Sequence, residues 1–150
     1  MKVSSSFVLS PAREQVFAAL VDPELLRRCI PGCEELTTIG EDVFRARLKI
    51  GAAGLKGTYT GKAELRDKHR PESLTLAFDG KGGPGFVRGA AAIHLSIEPA
   101  GTRVTCDAEV QVGGLIAAVG SRLIDATARK LSDDFFQRLA REIEASQRIG

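Results

Sequence analysis

The residue types that most often do chemistry are few and scattered in this chain of 150 residues. There are three cysteines and two histidines, and only Cys29 and Cys33 lie close together in sequence. Zinc sites normally need two clusters of close-spaced ligands, and the chain has no second cluster. His69 falls in a turn and His94 falls on the polar side of a strand, which is typical of solvated surface residues. We therefore expect no metal site.

Patterns for catalysis are equally weak. A nucleophilic triad needs a histidine near a serine or cysteine, with a carboxylate behind it, and neither histidine has this context. The glycine-rich run at 80–85 lacks the GKS or GKT ending of a phosphate-binding loop, and it joins two strands rather than a strand to a helix. Adjacent carboxylates occur only at 34–35, 41–42 and 133–134, where they are typical of a solvated surface. The sequence therefore predicts no catalytic residues and no cofactor, and we expect that the protein is not an enzyme.

The elements that could position a binding site follow a clear order. Residues 2–9 alternate as a strand, and two short helices follow, one with Ser10 as its N-cap and Pro11 at its first position, the other from Pro23 to Cys29. Strands are predicted at 41–50, 55–66, 73–80, 86–97 and 102–112, and their short connections indicate an antiparallel meander. One long helix of roughly 28 residues is predicted within 113–143, starting at Leu115 and Ile116 after a glycine pair, because apolar residues recur there at every fourth position.

The apolar stripe of this long helix predicts the shape of the sheet. At every four-residue step the stripe drifts by about 40°, so its two ends must face different walls. A sheet that curls around the helix supplies such walls, whereas a flat sheet does not. We predict an α+β helix-grip fold, in which a curled antiparallel sheet of about seven strands surrounds a long C-terminal helix and two short helices follow the first strand. At this length a single domain over 1–150 is expected.

The side chains that should face the helix are small. The glycines and alanines at these positions are Gly57, Gly61, Gly80, Gly89, Ala46, Ala63, Ala91 and Ala108. The chain has no tryptophan and only 5% aromatic residues, so little bulk is available to fill the interior. Either the glycines let a strongly curved sheet bend, or they leave a hollow for an apolar ligand. The predicted lining of that cavity is Phe44, Leu48, Tyr59, Phe78, Ile93, Val119, Leu123 and Thr127.

A rim is predicted where three segments could meet at one end of the sheet. These segments are the loop at 51–55, the loop at 82–86 and the start of the long helix. If their apolar side chains are exposed, they would suit a membrane surface or a partner protein. The predicted rim residues are Ile30, Leu55, Phe86, Leu115 and Ile116.

Charge and hydropathy argue against other classes of protein. Twenty-one basic residues face nineteen acidic ones, for a net charge of +2, and no basic run carries interleaved aromatic residues. Binding to nucleic acid is therefore not expected. The N-terminus lacks the apolar core and cleavage site of a signal peptide, and no apolar run approaches membrane-spanning length. Together with an odd number of cysteines, this favours a reducing, cytoplasmic location.

Several blocks resemble the carbon monoxide dehydrogenase subunit (CoxG) family. They are DPELL at 22–26, CIPGC at 29–33, GKAEL at 61–65, GGLIA at 113–117 and GSRLI at 120–124. The joint occurrence of the second and last blocks in this order is fairly specific, and the resemblance covers almost the whole chain. Pro31 and Gly32 of the CIPGC block are expected to form a sharp turn. Gly120 of the GSRLI block is expected to let a strand or a ligand approach the helix.

The resemblance implies a function as well as a fold. The family belongs to the START-like helix-grip superfamily, SRPBCC, and its members lie beside genes for molybdenum hydroxylases such as aerobic carbon monoxide dehydrogenase. An accessory role is therefore implied, in which the protein binds a quinone or a lipid and links the dehydrogenase to the inner face of the cell membrane by peripheral contact. An alternative is an assembly or recruitment factor with a filled interior. A START-like cyclase or hydrolase would need an acid or base in the cavity, for which Tyr59 is the sole inward candidate.

Overall fold

The computed structural model describes residues 1–52 and 54–149. Ala53, which belongs to the loop predicted at 51–55, lies outside the described residues. The strands are β1 (Lys2–Leu9), β2 (Cys33–Gly40), β3 (Val43–Ile50), β4 (Gly57–His69), β5 (Ser73–Gly82), β6 (Gly85–Glu98) and β7 (Gly101–Gly113). The helices are α1 (Arg13–Leu20), α2 (Pro23–Cys29) and α3 (Ser121–Ile149), and a 3₁₀ segment (Leu115–Val119) precedes α3.

The seven strands form one antiparallel sheet in the order β1-β7-β6-β5-β4-β3-β2. Strands β2 to β7 are thus a meander, and β1 closes the far edge by pairing with β7, with Val3 opposite Ala108. Alternation sets the two faces, as in β3, where Phe44 is buried while Arg45 and Arg47 are exposed. The predicted α+β helix-grip fold, with seven strands, two short helices after β1 and a long C-terminal helix, is confirmed.

The predicted cap of α1 is wrong. Ala12 rather than Ser10 is the N-cap residue, and the helix begins at Arg13. Pro11 stays outside the helix because its carbonyl accepts a buried hydrogen bond from the Thr102 hydroxyl at 2.8 Å. The Ser10 hydroxyl donates instead to the Glu144 carboxylate, which ties the start of α1 to the C-terminal part of α3.

The turn between α2 and β2 is as sharp as the sequence predicts. Asp22 caps α2 by accepting from the Glu24 backbone N–H at 3.0 Å. At the other end, Gly32 has a φ of +75°, a conformation that glycine adopts without strain. The Lys49 N–H donates to the Gly32 carbonyl at 2.8 Å, and a Cβ on Gly32 would lie 2.1 Å from the Lys49 carbonyl oxygen. This glycine therefore lets the turn lie directly against the end of β3.

The predicted start of the long helix, at Leu115 and Ile116, is wrong. Residues Leu115–Val119 form a 3₁₀ segment, and α3 begins only at Ser121. The two segments are separated by Gly120 with a φ of +93°, which cannot be continued as a right-handed helix. A Cβ on Gly120 would meet no protein atom within 4 Å, so no strand approaches the chain closely there, and this glycine serves the backbone bend. In the described part of the chain, no helix is both long and apolar enough to cross a bilayer.

The buried side chains form two clusters of unequal size. The larger one holds Phe17, Leu95 and Leu139, each almost fully buried, and it joins α1 and the C-terminal half of α3 to the sheet. A smaller cluster of Leu55, Tyr59 and Ile116 lies at the opposite end of the sheet. The backbone of α3 packs mainly against β1, α1 and α2. Its N-terminal half therefore stands farther from the middle strands than its C-terminal half does.

Candidate functional site

The inner face of the sheet is left partly uncovered beneath the N-terminal half of α3. One inward row crosses five strands side by side and contains Ala46, Gly61, Gly80, Val87 and Val112. Every residue of this row is only half-buried, although Val87 and Val112 pack against the smaller cluster. Since protein interiors normally pack to high density, a row without a large side chain leaves space between sheet and helix. We call this space the groove.

Both explanations for the inward glycines hold, at different positions. A Cβ on Gly61 would lie 2.0 Å from the Asp79 carbonyl oxygen, and Gly89 is equally close to the backbone of β7. These two glycines are needed because the curled strands approach each other closely. At Gly80, by contrast, the nearest atom to an added Cβ would be the Thr60 carbonyl oxygen at 3.9 Å. Gly80 therefore leaves room that the sheet itself does not require.

A pocket lies beside the groove, between the α2–β2 turn, the end of β3 and the middle of α3, and we call this pocket the opening. This opening has a volume of about 400 Å³, which is within the range of small-molecule sites. Its lining residues are Pro31, Gly32, Lys49, Ile50, Gly51, Ala52, Thr127, Lys130 and Leu131. A shallower depression of about 440 Å³ lies at the tip of the molecule and is lined by Gly54, Lys56, Gly83, Pro84 and Leu115.

Of the residues at the opening, only Thr127 was predicted from the sequence as part of the site. Pro31 and Gly32 were interpreted as a turn, and Leu131 as part of the packed stripe. The feature that brings these residues together is the positive φ of Gly32, which places the turn against β3 at the level of Thr127. That contact depends on tertiary structure, so the residue types alone did not reveal it.

The structure divides the eight predicted cavity residues into three groups. Phe44 and Ile93 are buried in the larger cluster, where they pack among core side chains. Tyr59 is buried in the smaller cluster. The five that keep accessible surface are Leu48, Phe78, Val119, Leu123 and Thr127.

Tyr59 anchors a loop. Its hydroxyl donates a hydrogen bond to the Leu55 carbonyl at 2.7 Å, and burial raises the pKa of the phenol. The phenol therefore holds its proton and directs it at a carbonyl oxygen, which is a structural arrangement.

The loop that Tyr59 holds closes one end of the groove. Gly54 in this loop has a φ of +80°, and a Cβ there would lie 2.8 Å from the Val119 Cγ1 atom and 3.1 Å from the Leu123 Cδ2 atom. The loop after β3 thus contacts the junction between the 3₁₀ segment and α3. Leu123 remains 39% exposed beside it.

The predicted rim is only partly exposed. Leu55 and Ile116 were expected at an exposed rim, and that expectation is wrong, because both are buried against Tyr59 in the smaller cluster. Phe86 is half-buried, with the Arg88 guanidinium 5.0 Å from its ring centroid. Ile30 is half-buried as well. Leu115, at 76% exposed, is the one member of the predicted rim that projects strongly into solvent.

The thiols of the larger cluster are held in an unreactive state. Burial raises the pKa of the Cys29 thiol and of the Cys106 thiol, each to about 11, so neither is a ready nucleophile at neutral pH. Among the described residues, no group of three or more histidine, cysteine, aspartate or glutamate side chains could hold a metal ion. What the groove and its opening offer is an apolar surface, the Thr127 hydroxyl and two lysines, Lys49 and Lys130.

A sequence model of the carbon monoxide dehydrogenase subunit (CoxG) family matches residues 6–144. The chain belongs to this family. A conserved protein from Geobacillus kaustophilus is similar to this CoxG-family chain over 97% of both chains, with 38% identity and a TM-score of 0.93. No curated protein matches the sequence.

More distant solved structures share the fold. A START superfamily protein from Mycobacterium smegmatis has a TM-score of 0.74 at 12% identity, covering 96% of this chain and 97% of that one. The Zhui aromatase/cyclase from Streptomyces sp. R1128 has a TM-score of 0.65 at 17% identity, covering 96% of this chain and 93% of that one. At such identities the likeness shows fold alone, and it confirms that this CoxG-family chain has the START-like architecture.

Proposed function

We propose that this CoxG-family protein is a non-catalytic accessory protein that carries a lipophilic molecule, a quinone or a lipid, for a molybdenum hydroxylase of the carbon monoxide dehydrogenase type. The single observation that supports this most is the row of small, half-buried residues beneath α3, together with the opening beside Thr127. In a fold with a filled interior, those inward positions would be buried. Here they present apolar surface that a ligand would remove from water.

The chemistry of the groove favours a mostly apolar ligand. Its floor consists of glycine, alanine and valine, whose side chains cannot form hydrogen bonds. Burial of apolar ligand surface stabilises a complex by roughly 25 cal/mol per Å² before the cost of association is subtracted. At the opening, the Thr127 hydroxyl can donate to a carbonyl oxygen of a quinone or of a lipid ester.

We propose further that the tip of the molecule touches the membrane. Leu115 projects into solvent there, and Lys56 lines the same depression as Leu115. An exposed apolar side chain next to a cation suits the interface of an anionic bilayer. Contact at this end would be peripheral, and it would place the groove near the lipid from which a ligand is taken.

The test places a larger side chain at Gly80, on the floor of the groove. In Gly80→Leu the new Cβ has room, and its side chain projects toward the helix, so binding of a short-chain quinone in a fluorescence titration should weaken at least tenfold. The matched control is Ala77→Leu, which adds the same side chain to the outer face of the same strand. Thermal melting of both variants shows whether they fold. Extraction of the purified protein followed by mass spectrometry identifies any lipophile that it carries.

Recovery of no lipophile and no quinone binding by the wild-type protein would contradict the carrier proposal. The alternative of an assembly or recruitment factor would then gain support, provided that Gly80→Leu still copurifies with the dehydrogenase. If Gly80→Leu does not fold, Thr127→Phe obstructs the opening from α3 and serves as a second variant. Equal quinone affinity in a folded blocking variant and in Ala77→Leu would also argue against the groove as the binding site.

A further inference from the structure

The outer face of the sheet, opposite the groove, carries a cluster of exposed basic side chains. They are Arg45 on β3, Lys62 on β4, Lys81 on β5 and Arg88 on β6, and we call them the basic face. In the strand register Arg45 lies directly opposite Lys62. The next positions along the same row are Asp79 and then Arg88. Asp79 is thus flanked by Lys62 and Arg88 across the strands and by Lys81 on its own strand, and Arg45 lies on the far side of Lys62.

The Arg45–Lys62 pair costs the folded protein stability, whereas Asp79 lies opposite both Lys62 and Arg88. Side chains directly opposite each other in an antiparallel pair have Cβ atoms about 5 Å apart, and like charges there are destabilising. Elsewhere the fold places carboxylates beside its cations, as where Arg47 pairs with Glu34 at 3.2 Å and with Glu35 at 2.7 Å. Within the described residues, no carboxylate lies within 4.0 Å of a nitrogen of the basic face. The net charge of only +2 does not account for so local a concentration of unpaired cations.

One of these cations is already held in position. The Arg88 guanidinium lies over the Phe86 ring at 5.0 Å, and its Nε atom donates to the Gln111 Oε1 atom at 3.0 Å. An arginine fixed in this way loses less side-chain freedom when it binds a carboxylate. Arginine over an aromatic ring is also characteristic of the cores of protein interfaces.

Two features favour a folded protein over a lipid surface as the occupant. The large apolar side chains that are most exposed, including Val8, Ile97 and Leu115, lie outside the basic face, and Phe86, which lies on it opposite Lys81, is half-buried with the Arg88 guanidinium over its ring. Membrane-binding surfaces, by contrast, combine cations with apolar side chains that insert into the bilayer. Asp79, in the middle of the cluster, would be repelled by lipid phosphates. On an acidic protein surface, Asp79 can form an ion pair with a single cation of the partner. Such mixed patterns of charge fix the register of a complex.

We propose that the basic face docks onto an acidic surface of a folded partner protein that presents one cation opposite Asp79. The identity of that partner rests on the proposed function, which makes it the molybdenum hydroxylase. Because the basic face lies on the opposite side of the sheet from the groove, docking there leaves the opening beside Thr127 accessible. One protein can then hold the dehydrogenase and a ligand at the same time.

The experiment measures binding of the full-length protein to the molybdenum hydroxylase purified from the same organism. Biolayer interferometry at about 50 and 200 mM salt should show wild-type affinity falling as salt rises. The double variant Lys62→Glu/Arg88→Glu should bind at least tenfold more weakly. Its matched control, Lys2→Glu/Arg141→Glu, makes the same change in net charge at exposed positions elsewhere and should bind like wild type. If the first double variant does not fold, Arg45→Gln/Lys81→Gln is used and should also weaken binding.

Asp79→Asn separates the two classes of occupant. It should weaken docking to the hydroxylase, because the ion pair with the partner's cation is lost, and it should strengthen binding to vesicles of phosphatidylglycerol, because a repulsive charge is removed. The proposal is overturned if both double variants weaken docking equally, or if Lys62→Glu/Arg88→Glu loses vesicle binding but keeps docking. Quinone titration of the same samples keeps the two proposals apart, because a protein that docks but binds no quinone contradicts only the carrier function.

Discussion

The two halves of α3 show how one helix can serve stability at one end and binding at the other. In the C-terminal half, Phe136, Leu139 and Ile143 are buried against the sheet and α1. In the N-terminal half, Leu123 is 39% exposed and Thr127 lines an open groove, although both lie on the same apolar stripe. The difference between the two halves lies in the part of the structure that each half of α3 faces. It shows that the stripe predicts which side of the helix faces the sheet, and not how closely the two approach.

The opposing surfaces differ in bulk. Five of the seven phenylalanines belong to the larger cluster or pack against it, and the Phe7 and Phe136 rings lie 5.0 Å apart there. The floor of the groove has only glycine, alanine and valine in the corresponding positions. Large side chains thus fix α3 against β1 and α1, and small ones leave its other half unsupported. The two ends of α3 should therefore respond differently to mutation.

The largest difference is expected between truncations at the two ends of α3. Leu139→Ala should lower the free energy of unfolding by about 2–5 kcal/mol, because it leaves a cavity in a fully buried site. Leu123→Ala should lower it by less than about 1 kcal/mol, because the side chain is already partly in water. Urea titration followed by far-UV circular dichroism measures both. Similar losses at the two positions would mean that the N-terminal half of α3 is packed in solution.

Smaller effects on stability, opposite in sign to each other, are expected when two glycines of the same inward row are replaced by alanine. Gly61→Ala should destabilise the protein by about 1–3 kcal/mol, because its Cβ would overlap the Asp79 carbonyl oxygen and force the strands apart. Gly80→Ala should stabilise it by about 0.5–1 kcal/mol, since the methyl group has room and the unfolded chain loses freedom. Thermal melting ranks the two variants against wild type. A loss of stability in Gly80→Ala would show that the space above Gly80 is not available.

Much of the fold could be predicted because local signals agree with it. The alternation of Phe44, Ala46 and Leu48 against arginine and lysine marks the inner face of β3 without knowledge of its neighbours. Asp22 followed by Pro23 marks the start of α2 for equally local reasons. Where the local signal had a competitor, the prediction failed. A period of four residues continues through Gly120, so periodicity alone could not show that the backbone bends there.

The candidate site was less predictable because its depth is a tertiary property. Which inward residues keep exposed surface depends on α3 leaning toward β1, and no short stretch of sequence encodes that tilt. Phe44 and Leu48 face the same way from one strand, yet the first is in the larger cluster and the second is half-buried. Leu55 and Ile116 were placed at the surface because loops usually are, whereas Tyr59 draws both into a small cluster of their own.

The smallest effect is expected from the thiols of the packed half in alkaline solution. Burial raises the pKa of Cys29 and of Cys106 from 9.0 to about 11 in the folded protein. Below pH 9 both thiols are protonated whether the chain is folded or not, so they add no pH dependence. Above pH 9 the unfolded chain releases these protons first, and the free energy of unfolding should fall as the pH rises toward 11. In Cys29→Ala/Cys106→Ala the fall between pH 8.5 and 10.5 should be shallower, whatever its baseline stability. An unchanged slope in urea titrations would show that these thiols ionise as readily in the folded protein as in the unfolded chain, and that the packed half admits water.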